Sequence, residues 1–426
     1  MKKTALLSAV LVLASFGLIS CGSASPTNLP SNKLPTHVWA SQSASSLTST
    51  AGLVVINGEY DTQEQVPRIN AGSSPGYMMM SPQRAVVMVF DSATNNIDVV
   101  NTKTSTTGGT IALPGPTTSM VAVSNAIGYA AVPSAPVIGA PPGAIVAMNL
   151  SSDGVTASIN VPSAQTVVSD SGGNQLLAFS NDSDAVTVVS PLQLNTGGAV
   201  TTVVPGFDRP VYAVFSTDNS TAYVLNCGPQ CGGTQASVQT LNMANLAVGT
   251  PLPVDAATIG LLNGSTLYVA GTPATNHACT GQETAATTCG RLDIIDLGTM
   301  TVTGRVVITD GYHDRIDISN NGQLFIGSHT CTNIGNVNAP VGEVRGCLSI
   351  FNTMTPANMN AVIPPDNGDV TGLQSFASRY VEYVAQGGNL RVYDTTIDSL
   401  LITQFIETGT ITITGQITDV KAVDFF

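Results

Sequence analysis

Short apolar runs alternate with polar turns along almost the whole chain. The stretch from Met80 to Gly115 shows the unit. One run ends at Met80, and three more cover Ala85 to Phe90, Ile97 to Val100 and Thr110 to Leu113, with turns at Ser81 to Arg84, Asp91 to Asn96 and Asn101 to Gly109 between them. β-Branched runs of this length between turn formers predict the strands of an antiparallel four-stranded meander. One such sheet cannot bury both faces alone, so the number of copies becomes the next question.

The third run of each copy is the clearest: LVVIN from Leu53, NIDVVN from Asn96, AIVAMN from Ala144, AVTVVS from Ala185, ASVQTLN from Ala236, RLDIID from Arg291, CLSIFN from Cys347 and NLRVYD from Asn389. Fourth runs end near Asn70, Leu113, Val161, Val204, Pro253, Ile308, Ile363 and Ile406. Tight turns between first and second runs contain Asn263-Gly264, Asn321-Gly322 and Gly172-Gly173, pairs that supply positive φ. The first group has no first run of its own, whereas Ile417 to Phe426, ITDVKAVDFF, has that pattern at the far end. A chain that begins at strand two and ends with strand one closes a ring and removes free edges. The expected fold is therefore an all-β β-propeller of four-stranded antiparallel blades over residues 37–426. Eight blades are expected, with seven as the alternative if the last copy and its long Leu400 to Gln416 segment are not an independent blade. A stack of sandwich domains would explain the strands but not the split first copy.

Aromatic-Val second runs such as Tyr223-Val224-Leu225-Asn226 and Tyr268-Val269-Ala270-Gly271, with a Ser-Asn or Ser-Asp turn before and a Val-x-Val-Ile-Asp-like run after, resemble the YVTN-type repeats of bacterial surface propellers and lactonase-like propellers. The resemblance bears on fold far more than on function.

The amino terminus adds a leader. Lys2 and Lys3 precede an apolar run from Ala5 to Ile19, which is the build of a secretory signal over residues 1–20. Leu18-Ile19-Ser20-Cys21 resembles a lipobox, which implies cleavage before Cys21 and a lipid on its thiol; an ordinary signal peptide with an incidental Cys21 is the alternative. Residues 21–36, rich in Ser, Pro, Asn and Ala, then read as a tether. The expected location is the cell envelope, outer membrane or cell surface, with the soluble body outside the cytoplasm.

Charge excludes one partner class. Without Lys2 and Lys3 the chain has 12 basic and 27 acidic residues, a net charge of −15, and such a surface repels nucleic acid. Six cysteines other than Cys21 form local couples, Cys227 with Cys231, Cys279 with Cys289 and Cys331 with Cys347, and in an exported chain these predict disulfides. The spacing of Cys227 and Cys231 also fits zinc, but no second ligand pair follows at finger distance.

Three of the long second-to-third loops, Cys227 to Gln235, Thr272 to Gly290 and Ser328 to Gly346, carry the cysteines, and a fourth runs from Pro133 to Gly143. In a propeller they share a face with the fourth-to-first connections. Gly311-Tyr312-His313-Asp314-Arg315 stands on that face at the start of the seventh copy, with His329, Arg209, Glu343 and Arg345 from neighbouring connections. Such residues can position a carboxylate, sugar or other polar ligand, the Arg as a fork and Tyr312 as a stacking surface; the structural alternative is that Asp314 and Arg315 pair across blades and His313 caps a turn. His37 and His277, with no pattern around them, are expected at the surface.

No HExxH, GxSxG, P-loop, CxxCH or complete calcium loop is present, and Asp182 and Asp184 read as turn residues. A lone Trp39 argues against quinone-cofactor propellers, and Met78-Met79-Met80 reads as core filling rather than a copper site. No cofactor or metal is expected. The preferred function is a lipid-anchored binding or scaffold module for an envelope protein, peptide or glycan. The alternative is a lactonase-like hydrolase or other small-molecule enzyme built on the polar cluster.

Overall fold

A computed structural model describes residues 36–424 apart from 45–49, 196–199, 275–276, 278, 280–287, 333, 336–343, 356–358, 366–367, 397–406, 412 and 414–415. The leader, Cys21 and the tether up to residue 35 lie outside the described residues, as does Glu343.

The strands form eight antiparallel blades in chain order. In blade 2, Pro75–Met80, Val86–Asp91, Asn96–Asn101 and Thr106–Ala112 lie side by side as the repeating pattern anticipates, and blades 3, 4, 5, 6 and 8 repeat that order. Blade 7 has Tyr312–Ile318, Gln323–His329 and Leu348–Asn352, and among the described residues the fourth position holds the Ile350 to Val362 bridge alone. The fourth strand of blade 8 is Glu407–Ile411, which begins where the sequence pattern puts its end. The seven-blade alternative fails because blade 8 has all four strands.

Ring closure is as expected. The last strand, Gln416–Asp424, pairs with Thr36–Ser43, which pairs with Gly52–Asn57, so blade 1 is completed from both ends of the chain. Val38 faces Ala422 on one side and Ile56 on the other.

Why the apolar runs are continuous rather than alternating follows from packing. Each blade is covered on both faces by its neighbours, which demands apolar residues in both directions. Successive residues of one run therefore feed two cores: Val54 and Ile56 join the cluster between blades 8 and 1, while Leu53 and Val55 join that between blades 1 and 2. Six further clusters fill the other seams. Eight seams for eight blades leave no blade face uncovered.

The tight turns have the expected backbone. Gly173, Gly264 and Gly322 all have positive φ, from 61° to 86°, a region that glycine adopts without the steric cost other residues bear. Contrary to expectation, His37 is fully buried. Two residues from Trp39, it lies on the same side of the strand with ring centroids 6.5 Å apart, and it is buried because both faces of that strand are covered. His277 is partly exposed, 3.8 Å from Asp255.

All three disulfides, Cys227–Cys231, Cys279–Cys289 and Cys331–Cys347, pair as the local couples predict. They suit an oxidising, non-cytoplasmic compartment. Among the described residues, no helix is long and apolar enough to cross a membrane.

Candidate functional site

Four of the fourth-to-first connections, those entering blades 5, 6, 7 and 8, carry an aspartate that reaches a stapled loop. Asp208 accepts hydrogen bonds from the backbone amides of Thr234 and Gln235, at 2.9 and 2.7 Å, and from the Thr234 hydroxyl. Burial opposes the charge, but the Thr234 and Gln235 donors prevail and hold this carboxyl below the usual range. Asp310 accepts from the Thr332 amide and Asp369 from the Thr330 amide, both at 2.8 Å, so the blade 7 loop is held from two connections. Asp255 lies 3.8 Å from His277 in the blade 6 loop. Sequence reasoning missed this set. Its signal was an Asp shortly before the first strand in PGFDRPV, PVDAATI, ITDGYH and NGDVTG.

Arg209 and Tyr312 come together in one pocket of about 300 Å³, lined also by Gln165, Asn181, Ser183 and Cys231. Arg209 has positive φ, and its guanidinium lies 3.8 Å from Asp182 and 3.7 Å from Asp184. The two aspartates read as turn residues thus also hold the arginine. Tyr312 is 44% exposed, leaving its ring open to a ligand.

A second group sits beside it at the mouth of the central channel. His329 Nε2 lies 2.9 Å from Asp314 Oδ1 and 3.1 Å from Oδ2, and its Nδ1 lies 3.6 Å from Asp369 Oδ2. The Asp314 hydrogen bond raises the imidazole above its ordinary value against the opposing effect of burial. Arg315 donates from Nη1 to Asp314 Oδ2 at 3.0 Å and from Nε to the Thr371 carbonyl at 2.8 Å. Its guanidinium carbon lies 5.4 Å from the centroid of the Tyr77 ring, which belongs to blade 2.

A β-bulge explains why Asp314 and Arg315, adjacent in sequence, both line the channel. Consecutive strand residues normally point to opposite faces. Here His313 pairs with Ser328 and Arg315 with Gly327, leaving Asp314 as the extra residue. The first strands of blades 2, 4, 5 and 8 carry a shift at the same point, and the Thr371 carbonyl that receives Arg315 lies in that of blade 8.

Two expected ligand residues lie elsewhere. His313 is fully buried between blades, where a Cβ on Gly290 would come within 2.8 Å of its ring. Desolvation by this burial lowers its pKa to about 4, and the ring is out of reach of a rim ligand. Arg345 is only 3% exposed and donates to the Ile363 carbonyl, so it fastens the outer edge of blade 7. Glu343 lies outside the described residues. Met78 fills the core between blades, whereas Met79 faces the channel. Among the described residues, no group of His, Cys, Asp and Glu is arranged to hold a metal ion.

The channel below runs through the ring and has a volume of about 640 Å³. All eight first strands contribute to its wall.

No protein-family model matches the chain, and no curated protein matches it either. Solved structures do. The dihydro-heme d1 dehydrogenase NirN, in complex with DHE, aligns at TM-score 0.61 with 10% identity over 91% of this chain and 75% of its own. The Dos1 propeller aligns at TM-score 0.59 with 8% identity over 83% and 87%. A periplasmic gluconolactonase of Pseudomonas aeruginosa, PpgL, aligns at TM-score 0.48 with 12% identity over 91% and 99%. The likeness of the first two is one of fold. At these identities it assigns no chemistry to any residue of this chain.

Proposed function

We propose that the chain is an exported binding module, anchored through a lipid on Cys21, whose stapled rim holds a protein, peptide or glycan of the cell envelope. The observation that carries this reading is that three consecutive blades, 5, 6 and 7, each have a disulfide-closed loop on one rim. A rim pinned beforehand loses less conformational freedom on binding. Within it, the pocket offers a braced guanidinium, an open tyrosine ring and several amide or hydroxyl groups, a set that suits an acidic sugar or a peptide carboxylate.

Tyr312→Ala with Arg209→Ala, assayed on glycan and peptide arrays of envelope composition, should weaken binding at least about tenfold, a loss typical of central anchor residues. Equal array signals for the double variant and the parent would remove this pocket from the function. For the anchor, Cys21→Ser should move the protein from the membrane to the soluble fraction and abolish labelling by a palmitate analogue. Retention of both would refute lipidation.

The hydrolase reading has less support. A general base needs a free nitrogen facing its substrate. Both ring nitrogens of His329 face carboxylates, an arrangement that stabilises an imidazolium rather than a base.

A further inference from the structure

The channel wall is sorted in an unusual way. Apart from Asp314, Arg315, Lys421, two tyrosines and two serines, its side chains are apolar, Met79, Val121 and Leu261 among them. The carboxylates in or behind this wall already face donors. Asp314 is engaged by His329 and Arg315. Asp419, behind the wall, receives the Met78 amide at 2.7 Å, the Val420 amide at 2.8 Å and Lys421 Nζ at 3.2 Å. The Ser119 hydroxyl is shared with the Val167 backbone on the neighbouring blade.

Several donors are not occupied. Arg315 uses Nε and Nη1, and Nη2 has no partner among the described residues. The hydroxyls of Tyr77 and Tyr212 likewise have no hydrogen-bond partner among the described residues, although both side chains line the channel. Lys421 Nζ has a single carboxylate contact and further protons to donate. Glu382, whose charge interacts with that of Lys421, is fully buried, and this burial, with the Asp317 charge, raises its pKa.

We propose that the central channel binds a small organic carboxylate, with its anionic head on Arg315 Nη2 and the Tyr77 and Tyr212 hydroxyls, Lys421 as a further donor, and its carbon body against the apolar wall. Unfilled donors on Arg and Tyr next to spent acceptors select an anion. The volume falls within the range of small-molecule sites, and the apolar remainder of the wall favours an organic anion over inorganic phosphate. This site is separate from the rim pocket, and neither reading depends on the other.

Isothermal titration of the whole protein with benzoate, adipate and citrate tests the assignment, with benzamide, adipamide and inorganic phosphate as controls. At least one carboxylate should bind saturably at one per chain, and its amide should not. Tyr77→Phe with Tyr212→Phe removes only the two oxygens and should weaken the carboxylate about tenfold, since it loses hydrogen bonds to a charged group. Arg315→Gln should abolish binding; the tyrosine variant keeps the test sound should this one fail to fold. The proposal is overturned if none of the carboxylates binds at millimolar concentration, if phosphate or an amide binds as tightly, or if the tyrosine variant binds like the parent.

Discussion

Deleting residues 416–426 should leave a chain with no cooperative unfolding transition. The missing strand buries Ile417, Val420 and Val423 almost completely. At about 1.5–3 kcal/mol for each fully buried aliphatic side chain, the loss is roughly 5–9 kcal/mol before any hydrogen bond is counted. Domains of this kind are stable by only about 5–15 kcal/mol. The deletion also strips the inner edge of Thr36–Ser43 and opens the core cluster between blades 8 and 1. Circular dichroism during heating, with size-exclusion chromatography of the same sample, measures the outcome. A shortened chain that melted sigmoidally within a few degrees of the parent would show that the ring does not need its last strand.

Acidification is expected to act through His313. Its pKa falls from 6.5 to about 4 because desolvation opposes the charged ring, the nearby Asp314 carboxylate only partly offsetting this and His329 adding to it. The unfolded chain therefore takes up the proton first. The stability that neutral His313 allows is complete above pH 6.5 and is lost as the pH falls from 6.5 towards 4, reaching roughly 3 kcal/mol. His37, lowered to about 4 by burial, acts in the same direction. Asp293, raised to about 6 by burial, acts in the opposite direction, as does Glu382. The total pH curve hides these separate contributions, and a difference isolates one. The unfolding free energy of the parent minus that of His313→Gln, from urea denaturation, should shrink by roughly 3 kcal/mol between pH 7 and pH 4. A difference that stayed constant across that range would mean that His313 is not buried neutral.

These two expectations differ in how far the sequence foresaw them. Closure could be read because the repeat is strict: a first group that starts at Val38 and a surplus run at Ile417 fit together only in a ring. The same regularity located the stapled loops and put Tyr312, Asp314, Arg315, Arg209 and His329 on one rim. Side-chain direction within that rim could not be read. Alternation along Tyr312–Ile318 would send Asp314 and Arg315 to opposite faces, and the bulge after His313 overrides it. His313 and Arg345 looked like ligand groups because an exposed and a buried polar residue have the same letter.

The sequence by itself determined the four-strand repeat, the split first blade and the local cysteine couples, since these depend on periodicity and on spacing along one chain; eight blades rather than seven was decided by the four strands of blade 8. Only the tertiary structure decided which polar groups meet. Arg315 over Tyr77 joins blade 7 to blade 2, Asp314 with His329 depends on one extra residue in a strand, and the unfilled donors of Tyr77, Tyr212 and Lys421 come from three different blades. Contacts between residues far apart in the chain are set by how eight sheets twist and close around a common axis, and no local pattern of hydrophobic and polar positions encodes that geometry.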